Sequence, residues 1–539
     1  MDLSKDDSHF NPGAAEYRCK LWVRVAGPDH FYYHVYWRRI AGALLVLGVA
    51  AWFTLAGAVW AFVKFQRGYD GARYFDLVFY PLRRTEYQTG LGRHYLTLGR
   101  AAWEKQNYRE GYALLLGGLA RVPQDVPGRR FLATAEAQVG RLDRALKTLI
   151  AGIDYARDDL DYLKLLFELL LEAQQDERLI ALAKTLIPAA PDGVPVHQFI
   201  AQQSATAHYH RGRLAETARI VAAWRLDRTV EGQVLLAQCD HQQGMEAVAI
   251  ARLERAVTLF PRRQEPLLEL VRLHRELGHP NEARRYALLR SLRQPGSAGA
   301  SIDLLHGYHA SGDGAAEARE LAEFLRSHDH DPSALVLLLW FAVDTAQPAL
   351  AERVQALAKG QKLPANTFNL GVVQAHLTAR DYPRALMLAD AALREEQYAS
   401  DISASPLQAM RAIAHFGLGD AARGQITLSA FLNNTRVRAS DALLLARQLK
   451  AIGFAEQARR VLERASEIDP LNEPALAELI RLDAEAGNRA ALAESLPKLF
   501  ELRKHFRATL EETLRHLDEA ADAPLRRQIQ DALAQPVTL

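Results

Sequence analysis

Cysteine is almost missing from this sequence. The 539 residues include two cysteines, Cys19 and Cys239, which form no CxxC motif and no cysteine–histidine cluster with zinc-finger spacing. Disulfide cross-links and a structural zinc site are therefore poor predictions for this chain. The cysteine count alone does not identify the cellular compartment.

Charge of one sign is not in excess either. The chain has 66 Lys and Arg against 64 Asp and Glu, which gives a formal net charge of +2. A dedicated nucleic-acid-binding protein usually carries a basic excess, so we expect no nucleic-acid partner. With 49% hydrophobic and 24% charged residues, the composition is that of an ordinary folded protein rather than a disordered one.

Familiar catalytic motifs are missing as well. The sequence contains no GxxxxGK[ST], HExxH or GxSxG motif and no EF-hand loop. The run from His328 to Asp331 falls at a predicted turn before Pro332, where a solvated loop is favoured over a metal site. We therefore predict no enzyme activity, no metal and no cofactor.

One long segment lacks charge altogether. Residues 40–63, from Ile40 to Val63, form a run of 24 positions without Asp, Glu, Lys or Arg. As a helix this run would be about 36 Å long, enough to cross a hydrocarbon core of about 30 Å. Basic and aromatic residues flank it, as at a membrane interface: Trp37, Arg38 and Arg39 before it, and Lys64 after it. The pattern predicts a single transmembrane helix, and a buried core helix or a cleaved signal peptide is less favoured.

The orientation of this helix is only weakly indicated. Lys and Arg residues are almost equally frequent near its two ends, so the positive-inside rule favours neither orientation clearly. A short tail that ends in two arginines is typical of a signal anchor with its N-terminus in the cytoplasm. We therefore expect the larger C-terminal part to be extracytoplasmic, in the periplasm.

From residue 92 onward, alanine- and leucine-rich segments recur. The first unit contains Tyr95, Leu98 and Gly99, then Gly111 and finally Pro123. Units of the same spacing start at 92, 126 and 160, at 230 and 264, at 366, and at 405, 439 and 473, mostly 34 residues or a multiple of 34 apart. This resembles the tetratricopeptide repeat, with its 34-residue period and its pattern W-x2-L-G-x2-Y…A-x3-F…P. The resemblance implies an all-α protein, a right-handed α-solenoid of about twelve helix-turn-helix repeats.

Small residues recur where the two helices of a unit must cross closely. This crossing position is held by Gly111, Ala145, Ala249, Ala283, Ala351, Ala385, Gly424 and Ala458, whereas Leu179, Glu317 and Leu492 depart from it and predict less regular packing. We expect left-handed backbone at the turn glycines Gly140, Gly244, Gly278 and Gly453. Second helices should end near Pro123, Pro261 and Pro470.

These patterns divide the chain into five segments. The predicted order is an N-terminal tail (1–39), the transmembrane helix (40–63), a juxtamembrane linker (64–91), the repeat solenoid (92–505) and a C-terminal helical cap (506–539).

The resemblance also implies where a partner would bind. In tetratricopeptide repeats the first helix of each unit lines a groove, and its ninth residue often faces the ligand. In this sequence that position is held by Arg100, Thr134, Gln238, Arg272, Gln374, Ile413, Arg447 and Arg481. A row of arginines suits an acidic or carboxylate-bearing partner segment, because arginine bonds carboxylates through two parallel N–H groups. The alternative is an ordinary solvated helix face.

Cys239, Asp240 and His241 place a nucleophile, an acid and a base side by side. In the repeat register they occupy positions 10 to 12 of a first helix. Consecutive helical residues point about 100° apart, so the three cannot converge on one substrate atom. We expect Cys239 to be partly buried and His241 to face the groove, while Asp240 departs from the large apolar residue that the family usually carries.

Together the sequence predicts a membrane-anchored scaffold that binds partner proteins or peptides, in a process such as envelope assembly, secretion or polysaccharide export. The alternative function is a chaperone-like factor that binds client polypeptides at the membrane. A chaperone would need an exposed apolar groove, whereas a scaffold would have a fixed polar footprint. An enzyme subunit is the third possibility, and it would need a polar pocket.

Overall fold

The structure is a computed structural model that describes residues 15–18, 22–26, 31–66, 68–395, 401–433, 437–502 and 507–533. The chain forms two compact units, residues 1–169 and residues 170–539. The repeat segment predicted for 92–505 is therefore shared between both units.

Unit 1 begins with a small antiparallel sheet. Its strands are β1 (Ala15–Arg18), β2 (Trp22–Ala26) and β3 (Phe31–Val35), in the order β1-β2-β3. The strands are rich in aromatic and β-branched residues, which favour extended backbone. The predicted N-terminal tail (1–39) thus contains a sheet, which the all-α prediction did not include.

The apolar segment forms one long helix, α1 (Trp37–Ala61), which continues as a π-helical turn over Phe62–Gln66. The continuous helix of 30 residues is long and apolar enough to cross a membrane. In this helix only Ala56 is buried. This confirms a long apolar helix at the predicted position, judged by length and composition.

The predicted linker (64–91) is not an irregular connection. It contains a short helix, α2 (Tyr74–Val78), and the first half of α3 (Tyr80–Glu104), which is kinked at Arg83. Pro81 lies in the first turn of α3, where its missing N–H costs no hydrogen bond. Apolar residues from α1, α2 and α3 share one small core, which explains why this segment is ordered.

Beyond this point the described residues alternate between the first and second helices of helix-turn-helix repeats. The first helices are α3, α5 (Val126–Gln138), α7 (Leu160–Glu172), α9 (Pro195–His210), α11 (Val230–Gln242), α13 (Glu265–Glu276), α15 (Ala298–Ala310), α17 (Pro332–Asp344), α19 (Ala365–Thr378), α21 (Asp401–Gly417), α23 (Ala439–Ala451) and α25 (Glu473–Glu485). The second helices are α4 (Tyr108–Arg121), α6 (Leu142–Ile150), α8 (Asp176–Leu186), α10 (Leu214–Ala223), α12 (Glu246–Leu259), α14 (Pro280–Arg293), α16 (Gly314–His328), α18 (Pro348–Gly360), α20 (Tyr382–Ala392), α22 (Ala421–Asn433), α24 (Ala455–Ile468) and α26 (Arg489–Glu501). The predicted cap contains a further pair, α27 (Arg507–His516) and α28 (Ala523–Leu533).

The small crossing residues act as the sequence predicts. All eight are buried where the second helix meets the first. Of the three departures, Leu179 and Leu492 are buried in the same way. Glu317 is half-buried and its carboxylate accepts a hydrogen bond from the amide of Gln347 at 2.6 Å.

The predicted helix ends are also confirmed. The turn glycines have φ values between 71° and 88°, where residues with a side chain are strained. The helices α4, α12 and α24 each end two residues before the predicted proline. The histidine–aspartate run from His328 to Asp331 forms the end of α16 and the following turn, and Asp331 caps α17.

Neighbouring repeats within a unit share a core. In unit 2, for example, one cluster of buried side chains joins α15, α16, α17, α18 and α19 through residues such as Leu305, Phe324, Leu338 and Phe341. Because a single helix pair cannot bury its own apolar face, stability depends on stacking.

Unit 2 also makes contacts between parts that are distant in sequence. The amide of Gln174 donates a hydrogen bond to the Leu471 carbonyl at 3.2 Å, and the guanidinium of Arg211 donates to the Glu501 carbonyl at 2.9 Å. The last repeats of unit 2 therefore return to its first ones.

Candidate partner-binding face

In unit 2 the first helices of neighbouring repeats contact one another, as in the pairs α11–α13, α15–α17 and α17–α19. We call the surface formed by their exposed side chains the first-helix face. Six of the eight predicted ninth-position residues lie on these helices, and Arg100 and Thr134 lie on first helices of unit 1, so the first-helix face is where a partner-binding site is expected.

Three of the predicted residues come together in one cavity. Gln238, His241 and Arg272 line a space of about 760 Å³ between the helices α9, α11, α13 and α27. The opposite side of the cavity is formed by Arg507 and Glu511 of the C-terminal pair. This part of the first-helix face is therefore partly covered by the chain's own C-terminus.

The charge of Arg272 is already compensated within the chain. Its guanidinium donates hydrogen bonds to Glu269 and, at 2.6 Å, to Glu276. The bonds to these carboxylates raise the pKa of Arg272. The ring of His241 lies 3.6 Å from Glu276, and its contact contributes to a lowered pKa of that carboxyl group.

The other two arginines in unit 2 are paired in the same way. Arg447 lies 3.6 Å from Glu478, and Arg481 lies 3.1 Å from the same carboxylate. Arg481 also bonds to Glu512 of α27 at 3.0 Å. A carboxylate of a partner would have to compete with these internal ion pairs, so binding of acidic segments by these arginines stays a prediction.

The remaining predicted residues have separate surroundings. The guanidinium of Arg100 lies 5.5 Å from the centre of the Phe131 ring. The Thr134 hydroxyl donates a hydrogen bond to the Arg130 carbonyl one turn earlier on the same helix. Gln374 is half-buried on α19. Ile413 is 1% exposed and belongs to the core, so its placement on the groove was wrong. The repeat register itself holds in this unit, since Gly419 has positive φ and Gly424 is buried at the crossing, but the Ile413 side chain belongs to the shared apolar core.

A second cavity lies on the first-helix face beside α13, α15 and α17. It has a volume of about 520 Å³, and its polar lining includes Arg275, Asp303, His306, His309 and Asp344. We call it the histidine cavity. The 34-residue period could have found part of it, since His306 is the ninth residue of a unit that starts at 298.

Burial controls the ionisation of this cavity. It lowers the pKa of His306 to about 4, and electrostatic interactions with Arg275 and His309 contribute in the same direction. His306 is therefore a neutral imidazole at physiological pH. Burial raises the pKa of Asp344, whose carboxylate lies 4.0 Å from the His306 ring. Burial also raises the pKa of Asp303, and its carboxylate accepts a hydrogen bond from the guanidinium of Arg290.

Arg275 differs from the predicted arginines. Among the described residues it has neither an ion-pair partner nor a hydrogen-bond partner, although its charge acts on Asp303 and Asp344 across the cavity. Its guanidinium can therefore bind an external carboxylate or carbonyl without first breaking an internal pair.

An apolar patch adjoins the histidine cavity. Leu337 and Trp340 on α17 are 40% and 39% exposed, which is unusual for large apolar side chains on an otherwise buried helix. Trp340 lies one helical turn from Asp344, so both side chains share one helix face. Trp340 is also a ninth-position residue, in a unit that starts at 332.

Cys239, Asp240 and His241 do not form a reactive site. Cys239 is 3% exposed, so it is more deeply buried than predicted. The Asp240 carboxylate bonds to Arg252 of α12, while His241 lines the cavity that α27 partly covers. The described residues contain no group of three or more side chains that could hold a metal ion.

Comparisons with known proteins give no close relative. No family model and no curated protein matches the sequence. Among solved structures, the Naa15/Naa10 complex bound to HypK-THB contains a chain with 12% identity and a TM-score of 0.31, and the alignment covers 90% of this chain and 75% of that one. A tetratricopeptide repeat protein from Parabacteroides merdae has 15% identity and a TM-score of 0.30, over 57% of this chain and 98% of that one. The pilus biogenesis factor PilW has 15% identity and a TM-score of 0.27, over 45% and 96%.

Scores this low carry no argument about function. The fold assignment rests on the chain's own helices instead: alternating first and second helices within the described residues, small residues at the crossings, and turn glycines with positive φ. By these features the chain has a tetratricopeptide-like fold of helix-turn-helix repeats.

Proposed function

We propose that this chain is a membrane-anchored scaffold that binds a segment of a partner protein on the first-helix face of α13, α15 and α17. The segment would present a carboxylate to Arg275 and an apolar side chain to Leu337 and Trp340. The single observation that carries this proposal is the unpaired guanidinium of Arg275 in a cavity beside an exposed tryptophan.

The electrostatics of the cavity support a specific footprint. Neutral His306 can both donate and accept a hydrogen bond, and Asp344 can accept one from a backbone N–H of the bound segment. These groups would fix the orientation of the segment, while burial of Trp340 would supply binding energy. A polar cavity with one small apolar patch favours a fixed scaffold over a chaperone for varied clients.

The membrane part of the proposal rests on α1. Anchoring through residues 40–63 would hold the repeats close to a bilayer, and a cytoplasmic N-terminus would place them in the periplasm. A reporter enzyme fused to the C-terminus of the full chain tests this orientation. Activity of a cytoplasm-specific reporter would contradict it.

Site-specific photo-cross-linking tests the partner-binding face. A photoreactive residue replaces Trp340, and in a matched control it replaces Leu288, an exposed apolar residue of the second helix α14. We expect adducts with a defined segment of another protein at position 340 and few adducts at position 288. Equal adducts at both positions would contradict a partner site on the first-helix face, and adducts with many unrelated proteins would favour a chaperone.

Charge reversal tests the role of Arg275. Arg275→Glu should abolish the adduct at position 340, because a carboxylate would then repel the partner's carboxylate. Arg255→Glu, on the second helix α12, also reverses an exposed arginine without a partner among the described residues and should leave the adduct unchanged. The proposal fails if the two variants behave alike.

A further inference from the structure

The segment after α1 turns back along that helix. We call residues 72–87, which contain α2 and the start of α3, the foot. The foot is attached to α1 at three points: Trp60 Nε1 donates to the Ala72 carbonyl at 3.0 Å, the Tyr74 hydroxyl donates to the Phe53 carbonyl at 3.0 Å, and Trp52 Nε1 donates to the Val78 carbonyl at 2.9 Å. The foot therefore follows α1 from Trp60 back to Trp52.

The length of α1 determines where the foot lies relative to a bilayer. Arg38 and Arg39 keep the hydrocarbon core from starting before about residue 40. The stretch from Ile40 to Ala51, which the foot does not cover, rises only about 18 Å, at about 1.5 Å per residue. A hydrocarbon core of about 30 Å thus also takes in roughly the next 12 Å of α1, the part that the foot accompanies.

The outer surface of the foot carries three large apolar side chains. Phe75, Phe79 and Leu82 are 60%, 47% and 85% exposed, although they lie beside the α1 residues that would be at membrane depth. The foot also has exposed charged residues, which lie towards the two ends of the segment: Arg73 at its start, and Arg83, Arg84 and Glu86 near its end. We propose that the foot is immersed in one leaflet of the bilayer and that these three side chains contact lipid acyl chains. This inference rests on the membrane anchoring proposed above and adds a second lipid-binding element to it.

Two features of the foot fit a lipid environment. A backbone carbonyl without a partner is costly in hydrocarbon, and the two indole N–H groups of α1 satisfy the carbonyls of Ala72 and Val78 at the ends of the short helical stretch. The charge of Asp76 is compensated by Arg83 at 2.9 Å. Arg83 follows the tip of the foot on the way back to the surface, where a long side chain can reach the headgroups.

The space between α1 and the foot is also apolar. A cavity of about 320 Å³ is lined by Trp52, Leu55, Ala56 and Val59 of α1 and by Leu77, Tyr80 and Tyr87 of the foot. An apolar cavity of this kind does not hold ordered water, so at membrane depth an acyl chain would fill it.

Depth-dependent quenching tests the position of the foot. The full chain, with Cys19→Ser and Cys239→Ala, is labelled with an environment-sensitive fluorophore at a single new cysteine and reconstituted into phosphatidylcholine nanodiscs. Labels are placed in the foot by Leu82→Cys or Phe75→Cys, in α1 by Leu45→Cys, and in α4 by Leu116→Cys as an exposed apolar control. We expect lipids that carry a spin label on the acyl chain to quench the labels at 82, 75 and 45 but not at 116.

The outcomes separate the two proposals. If the label at position 45 is quenched by the lipid while those at positions 82 and 75 are quenched only by aqueous iodide, the helix spans the membrane and the immersed foot is wrong. If the label at position 45 is also inaccessible to lipid, membrane anchoring itself fails, and the foot fails with it. Quenching at position 116 as strongly as at 82 would show that the signal reports general adsorption and would overturn the assignment.

Discussion

The Nε of Arg252 lies 2.7 Å from a carboxylate oxygen of Asp240 and joins the two helices α11 and α12 of one repeat. Asp240 is 8% exposed at a position where the resembled family carries a large apolar residue. The ion pair explains this departure, because a buried carboxylate is tolerated when a cation and hydrogen bonds compensate its charge.

Arg252→Met should destabilise this repeat by about 2 kcal/mol, since it leaves the Asp240 carboxylate buried without a cation. Hydrogen exchange measured on peptides from α11 and α12 reports the local free energy of opening. Arg255→Met, at an exposed position of the same helix, is the control and should change exchange little. Asp240→Leu combined with Arg252→Met should regain most of the loss, because the buried charge is gone. Equal protection in the Arg252 and Arg255 variants would contradict the proposed role of the pair.

The thiol of Cys239 should be almost unreactive in the folded chain. Burial raises its pKa to about 12, and the negative charge of Asp240 contributes. At pH 8 the thiolate fraction would then be about 10³-fold lower than for a free cysteine, and access is also blocked. Labelling of the Cys19→Ser variant with a chromogenic disulfide reagent should be slow in buffer and fast in denaturant. Rapid labelling of the folded chain would contradict this prediction and would show that Cys239 is a reactive residue.

The ionisation of His306 should make stability depend on pH. Its pKa is lowered to about 4 in the folded chain, whereas an unfolded histidine titrates near pH 6.5. Between these values the unfolded chain binds more protons, so the stabilising effect of neutral His306 is complete above pH 6.5 and is lost as the pH falls towards 4. With an allowance for partial solvent exposure, the loss is on the order of 1 kcal/mol.

The apparent melting temperature in detergent, measured from pH 7 to pH 4.5, tests this prediction. Other histidines with lowered pKa values, such as His208 and His415, act in the same direction, so the wild type must be compared with a variant. His306→Asn stays neutral at every pH and should show a shallower decline than the wild type. Parallel curves would mean that His306 is not buried as described.

The repeat fold could be predicted from the sequence because its physical requirement is local. A close crossing of two helices favours small residues such as Ala145, and a turn with positive φ favours glycine, as at Gly244. These requirements recur every 34 residues and remain visible when other positions vary. The register alone does not reveal burial, however, since Ile413 keeps the ninth position of its unit and yet lies in the core.

The candidate site was less predictable because it depends on pairing between side chains. The pairing of Arg272 with Glu276 follows the spacing of four residues along a helix and could have been found. Arg275 has no acidic residue three or four positions away, but the sequence could not show that the neighbouring repeats also supply no partner for it among the described residues. The return of the foot to α1 has no sequence signal either, because the indole of Trp52 bonds to a backbone carbonyl that any residue could supply.

The crossing of α3 and α4 depends on two glycines that face each other. A Cβ atom added to Gly111 would lie 3.0 Å from the carbonyl oxygen of Gly99 and 3.0 Å from the backbone nitrogen of Trp103. Both are backbone atoms that cannot turn aside, so Gly111→Ala must push the helices apart. Although alanine sits at this crossing in other repeats, here it should cost about 1–3 kcal/mol.

Gly117 on the same helix provides the matched control. A Cβ atom there would meet the Tyr95 ring at 3.5 Å, which is ordinary contact, so Gly117→Ala should be neutral or should stabilise α4 by up to about 1 kcal/mol through its better helix propensity. Hydrogen exchange of peptides from α3 and α4 measures both effects locally, which is preferable to a global melt because the chain has two units. Faster exchange in the Gly111 variant with unchanged or slower exchange in the Gly117 variant is the expected pattern. If the two alanines act alike, the first repeat does not depend on close approach of the backbones at Gly99 and Gly111.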